Sequence, residues 1–201
     1  AAFQASTFFA VRGVAVQYSG VLAMGAMSVA MILALRPRWP EKWMGGLDKM
    51  YRLHKWLGIT ALTVSIIHWL WAKGPKWAVG WGLLERPARG PRPTITDPIQ
   101  AALASVRGTA EGVGEWAFYA AVILIALALI RAFPYRWFYK THRLLALAYL
   151  VLAFHAVVLL NFGDWASPLG VVMAVLIASG TVAALIVLLR RVGASRRVAG
   201  T

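Results

Sequence analysis

Long apolar stretches separated by short polar ones run along the whole chain. Five stretches are long enough to cross a membrane as helices, which takes about 18 or more apolar residues. These stretches are 14–35, 54–72, 113–130, 142–160 and 168–189. Prolines flank several of them, where a helix can begin or end at little cost. The pattern predicts an all-α membrane protein, a transmembrane helical bundle.

The polar segments predict how this bundle lies in the membrane. Residues 1–13 are too short for another span, and residues 73–112, rich in Pro, Gly and Trp, are expected to form a long loop. Lys and Arg are concentrated in 36–55, in 131–143 and in the C-terminal tail. Because basic residues favour the cytoplasmic side, we expect a cytoplasmic C-terminus and an outer 73–112 loop.

Composition agrees with a membrane protein and excludes several cofactors. Of 201 residues, 60% are hydrophobic, which is more than a soluble domain of this size carries. The formal net charge of +14 lies between the spans rather than on one basic face, so we expect no nucleic-acid partner. With no cysteine, the chain has no disulfide, no cysteine-bound iron–sulfur or zinc site and no covalent c-type haem.

The histidines provide the candidate chemistry. The chain has four, and all lie in two of the predicted spans: His54 and His68, fourteen residues apart, and His142 and His155, thirteen apart. Each pair is therefore separated by about 20 Å along a helix. Since both spans run from inside to outside, His54 and His142 share an inner layer, and His68 and His155 share an outer one.

Two imidazoles at one depth suit the two axial positions of a haem iron. Zinc or copper sites need three or four ligands and are weaker alternatives. Histidines that serve only packing are a further alternative, but ionisable groups inside spans are usually functional. The face between His54 and His68 is small, which leaves room for a flat macrocycle. The thirteen-residue spacing fits less well, because it turns His155 roughly 140° away from His142 on an ideal helix.

Two quoted segments carry a resemblance to a known family. "LDKMYRLHKWLG…IIHW" and "FPYRWFYKTHRLLALAYLVLAFHAVV" resemble the transmembrane domain of the ferric reductase and NADPH oxidase superfamily in its bacterial form. The resemblance implies six helices holding two stacked b-type haems, with His54 and His142 on the inner haem and His68 and His155 on the outer one. It implies an oxidoreductase of the bacterial inner (plasma) membrane. Electrons would pass from cytosolic NAD(P)H and FAD to a ferric chelate or dioxygen outside.

The resemblance also implies roles for three arginines and shows three departures. Arg12 would lie at the outer acceptor site, and Arg52 and Arg143 would contact haem propionates; ordinary interfacial or loop charges are the alternative for each. The family's first helix is not in this sequence. No Gly-rich nucleotide motif is present, so FAD and NAD(P)H are expected in a further C-terminal domain or a partner. Ala72 stands where the oxidases carry another histidine, which puts oxygen reduction in doubt.

Two other functions remain open at this point. The chain could be a stand-alone dihaem cytochrome b subunit that serves a separate partner oxidoreductase. It could also be a non-redox membrane scaffold or transporter whose histidines hold no haem.

Overall fold

The computed structural model describes residues 8–37, 45–85 and 94–189, together with the backbone of residues 2–7. These residues form five long α-helices and a short 3-10 helix. The helices are α1 (Ala2–Ala34), α2 (Leu47–Gly80), α3 (Pro98–Leu129), α4 (Tyr135–Leu159), the 3-10 helix (Phe162–Ala166) and α5 (Pro168–Leu189). The prediction of an all-α helical bundle is confirmed.

Four of these helices are long and apolar enough to cross a membrane: α1 from Phe8 onward, α3, α4 and α5. The helix α2 is equally long but less apolar, because its interior carries the imidazoles of His54 and His68 and several hydroxyl groups. The span predicted at 54–72 lies within α2, which is not among the four helices that length and composition alone mark as able to cross a membrane. The chain is an integral membrane protein.

The segments expected outside the spans are more helical than predicted. The helix α1 already begins at Ala2, and α2 continues to Gly80 through Pro75. At the other end of the expected 73–112 loop, Asp97 caps α3 by accepting a hydrogen bond of 2.9 Å from the backbone N–H of Gln100. Pro98 then occupies the first helical position, which favours helix initiation. The helices α2 and α3 thus end and begin inside the expected loop, at Gly80 and Pro98.

The helices pack in two antiparallel pairs joined by α5. The helix α1 lies against α2 and α5, and α4 lies against α3 and α5. In the described part of the chain, the two histidine-bearing helices, α2 and α4, are not packed closely against each other. A gap therefore separates the two helices that carry the candidate ligands.

A buried tyrosine joins three of the helices. Tyr149 of α4 is fully buried, and its hydroxyl lies 2.9 Å from Ser28 Oγ of α1 and 3.3 Å from the Ile177 carbonyl oxygen of α5. Gly180 of α5 permits this approach. A Cβ at Gly180 would lie 2.7 Å from Tyr149 Cζ and 3.2 Å from Ser28 Cα, closer than van der Waals contact.

We therefore expect Gly180→Ala to lower the free energy of unfolding by about 1–3 kcal/mol, the usual cost of overpacking. Thermal unfolding in detergent measures the effect. Gly13→Ala is the matched control, because a Cβ at Gly13 meets nothing within 4 Å. Equal losses in the two variants would show that Gly180 is not needed for the close packing of Tyr149.

Candidate functional site

The four histidines form two pairs across the gap between α2 and α4. The ring centroids of His54 and His142 are 5.9 Å apart, and those of His68 and His155 are 6.4 Å apart. The rings of the second pair are nearly perpendicular, at 84°. The structure thus brings together the two pairs that the sequence predicted, with every ring half-buried.

The two histidines of α2 are held by backbone carbonyls of α1. His54 Nδ1 lies 3.0 Å from the Ala30 carbonyl oxygen, and His68 Nδ1 lies 3.0 Å from that of Val16. These acceptors are fourteen residues apart, like the two histidines. Ser19 Oγ also lies 3.1 Å from His68 Nδ1. A carbonyl oxygen only accepts hydrogen bonds, so Nδ1 carries the proton and Nε2 carries the free lone pair.

On α4, His155 is held in the same way by α3. Its Nδ1 donates to the Ala110 carbonyl oxygen at 2.9 Å. Gly114, four residues after Ala110, leaves the space for this contact: a Cβ there would lie 2.6 Å from His155 Cγ. Gly20 of α1 leaves space for His68 in a similar way, but the approach is less close: a Cβ there would lie 3.2 Å from His68 Cε1. Sequence reasoning missed both glycines, although each is a glycine in a helix interior, where glycine is unfavourable.

The fourth histidine is held differently. His142 Nδ1 is buried and has no hydrogen-bond partner in the described part of the chain. Its ring stacks instead on Phe138, one helical turn earlier, with centroids 5.0 Å apart and planes 15° apart. The His54–His142 pair therefore has one anchored and one unanchored imidazole.

A cavity of about 1150 Å³ lies beside the His54–His142 pair. Its wall is largely apolar, with a basic rim. Four of its lining residues are cationic: Arg36, Lys55, Arg131 and Arg143. Positive charge at the mouth of an apolar cavity suits a flat apolar ligand with carboxylate groups at one edge.

The two predicted propionate contacts differ in their positions. Arg52 is exposed and is not among the residues lining this cavity. Arg143 lines it, but its guanidinium donates to the carbonyl oxygens of Val187, at 3.2 Å, and Leu188. These carbonyls belong to the last turn of α5, where no intrahelical partner remains. Arg36, which sequence reasoning did not propose, reaches the cavity from the end of α1.

Arg12 binds the backbone of α2. Its Nε donates to the Trp71 carbonyl oxygen at 3.1 Å, and its Nη2 donates to that of Ala72 at 3.0 Å. In an uninterrupted helix the Trp71 carbonyl would accept the N–H of residue 75, but Pro75 has none. Arg12 thus satisfies an acceptor that Pro75 leaves open, one turn beyond His68. The predicted acceptor-site role of Arg12 stays a prediction.

We expect Arg12→Gln to lower the free energy of unfolding by about 1.5–3 kcal/mol, as for a lost charged hydrogen bond. The cost will be smaller in a Pro75→Ala background, where the N–H of residue 75 can reach the Trp71 carbonyl. A double-mutant cycle of thermal unfolding in detergent measures the difference. The same cost in both backgrounds would show that Arg12 does not compensate for the proline.

The residues of each layer fit a haem. Two imidazoles that bind one iron on opposite faces have ring centres roughly 6 Å apart, since a metal–nitrogen bond is about 2 Å long. Both pairs have this separation. Within residues 8–37, 45–85 and 94–189, no group of three or more His, Cys, Asp or Glu side chains converges. A metal held by two imidazoles needs its remaining ligands from another source, and a porphyrin supplies four nitrogens.

The sequence of the chain matches a known protein family. No curated protein matches the chain significantly. The profile of a family described as "Ferric reductase like transmembrane component" matches residues 19–153, more than half of the chain. His54, His68 and His142 lie inside the match; Arg12 and His155 lie outside it. The match associates the chain with oxidoreductases that transfer electrons within membranes. The chain belongs to the ferric reductase-like transmembrane component family.

Proposed function

We propose that the chain carries electrons across the membrane through two b-type haems, each held by two histidines. His54 and His142 would bind the inner haem, and His68 and His155 the outer one. The pairing of four imidazoles in two layers supports this most directly, because the ring separations of 5.9 Å and 6.4 Å suit two ligands on one iron. The layers are about 20 Å apart along the helices, which covers most of a hydrocarbon core of about 30 Å.

The residues of the chain then have distinct tasks. The carbonyls of Ala30, Val16 and Ala110 fix three imidazoles with the Nε2 lone pair free, and hydrogen bonds of this kind make the ring a better ligand. In the membrane, the helices together with the bound haems would exclude water from the path. When bound, a haem supplies an iron that takes up and releases one electron. The chain itself fixes the distance between the haems, their ligands and their burial. These three properties set how readily each haem takes up and releases its electron.

The basic rim of the large cavity would attract the propionates of the inner haem. Arg36, Lys55 and Arg131 are the best placed of the described cations, because all three line the cavity and are exposed. Arg143 would contribute only if its guanidinium contacted a propionate in addition to the carbonyls of α5. Arg52 does not line the cavity, and for it we favour the ordinary role of an exposed basic residue near the cytoplasmic end of α2.

For the direction of transfer we propose cytoplasm to exterior. The loop charges favour a cytoplasmic C-terminus in the bacterial inner membrane. The donor would be a flavin dehydrogenase, a further domain or a partner that holds FAD and oxidises NAD(P)H. The acceptor would be a ferric chelate or dioxygen at the outer side, near Arg12. The enzyme as a whole would then be a ferric-chelate reductase or an NAD(P)H oxidase.

Transfer across the membrane can be tested in vesicles. The purified protein is reconstituted into liposomes that enclose ferricyanide, dithionite is added outside, and an ionophore compensates the charge. We expect ferricyanide to be reduced only in vesicles that contain the protein, and His68→Ala to abolish the transfer. Haems that are reduced by dithionite while the enclosed ferricyanide remains oxidised would contradict the proposed function.

A further inference from the structure

One of the four candidate ligands lacks the support that the other three share. His54, His68 and His155 each donate Nδ1–H to a backbone carbonyl of a neighbouring helix. His142 Nδ1 is buried without a partner among the described residues, and the ring stacks on Phe138 instead. A buried imidazole N–H without an acceptor is an unfavourable arrangement that globular structures usually avoid.

The spacing of the histidines explains the difference. On an ideal helix, residues fourteen apart point in directions that differ by about 40°, whereas residues thirteen apart differ by about 140°. On α2, the fourteen-residue spacing lets His54 and His68 bond to carbonyls of α1 that are also fourteen residues apart. On α4, the thirteen-residue spacing turns the two rings in different directions, so His142 and His155 cannot both donate hydrogen bonds to carbonyls of α3. His155 has the carbonyl of Ala110, and His142 has none.

This asymmetry has a chemical consequence. The hydrogen bond to the second ring nitrogen fixes the tautomer and raises the basicity of a metal-bound imidazole, and its loss typically costs 10–100-fold in metal affinity. The His142–iron bond is therefore expected to be the weakest of the four.

We propose that His142 is an exchangeable ligand, and that a small neutral iron ligand can take its place on the inner haem. The proposal rests on the proposed function. In the exchange, the lone pair of the incoming molecule replaces that of His142 Nε2, with no net transfer of electrons or protons. The outer pair, with both imidazoles anchored, would not exchange.

Carbon monoxide tests this on the reduced protein. The dithionite-reduced protein is titrated with carbon monoxide, and the bound fraction is read from the difference spectrum and the haem-to-protein ratio. We expect one carbon monoxide for every two haems. Two haems that both ignore carbon monoxide, or both bind it, would overturn this proposal and leave the proposed function standing. A protein without haem would overturn both.

A matched pair of variants locates the weak bond. His54→Ala leaves the inner haem on the unanchored His142, and His142→Ala leaves it on the anchored His54. Transfer of haem to excess apomyoglobin should be at least about 10-fold faster from His54→Ala, in line with the usual effect of losing a supporting hydrogen bond. The outer haem, retained in both variants, reports that each is folded. Equal transfer rates, or a faster rate from His142→Ala, would overturn the proposal.

Discussion

His68→Ala is expected to reduce the number of six-coordinate, low-spin haems from two to one per chain. Only His155 would remain in the outer layer, because its partner ring, 6.4 Å away, is removed. The inner pair lies about 20 Å away along the helix and is not altered. Low-temperature electron paramagnetic resonance counts the low-spin centres, and the reduced visible spectrum measures the α-band of each haem.

Ser65→Ala is the control for this substitution. Ser65 lies three residues before His68 on the same face of α2, so the variant changes the same helix face without removing an imidazole. It should keep both low-spin haems. If His68→Ala also keeps two haems with two histidine ligands each, the pairing of His68 with His155 is wrong.

Gly114→Ala should have an effect nearly as large, although it removes no ligand. The added methyl group would lie 2.6 Å from His155 Cγ and 2.9 Å from Cε1, so the ring or the helix α3 has to move. The hydrogen bond from His155 Nδ1 to the Ala110 carbonyl oxygen cannot survive that movement. We expect the outer low-spin haem to be lost and the inner one to be retained, as measured by the haem-to-protein ratio and by paramagnetic resonance.

Gly112→Ala separates this effect from a general effect of alanine in α3. A Cβ at Gly112 meets nothing within 4 Å, and alanine is a better helix former than glycine. The control should keep both haems and be at least as stable as the parent protein. A Gly114→Ala variant with two normal haems would show that the close approach of α3 is not required for outer haem binding.

The sequence was enough to predict the helices and the histidine pairs. Apolar stretches of membrane length predict helices because the backbone in lipid must satisfy its own hydrogen bonds. Ionisable groups are rare in such stretches, so four histidines in two of them stood out. The position of Arg52 could also have been predicted. It lies two residues from His54, about 200° around the helix, and therefore on the opposite face.

The remaining features depend on how the helices pair. The carbonyls of Val16 and Ala110 become acceptors only because α1 packs on α2 and α3 packs on α4, which no spacing in the sequence specifies. The interpretation of Arg12 missed its contact with α2 for the same reason. A signal was present, however, since Pro75 necessarily leaves the Trp71 carbonyl without its helical donor. The helical ends within 73–112 were missed because proline and glycine there were interpreted as loop residues.

The haem content of the unmodified protein tests the central claim most directly. The protein is purified from membranes of cells supplied with a haem precursor, and its haem is quantified as the pyridine adduct against protein mass. Low-temperature paramagnetic resonance of the oxidised sample then gives the spin state. The account predicts two b-type haems per chain, both low-spin when oxidised. A protein that is folded and stable but binds no haem would contradict it.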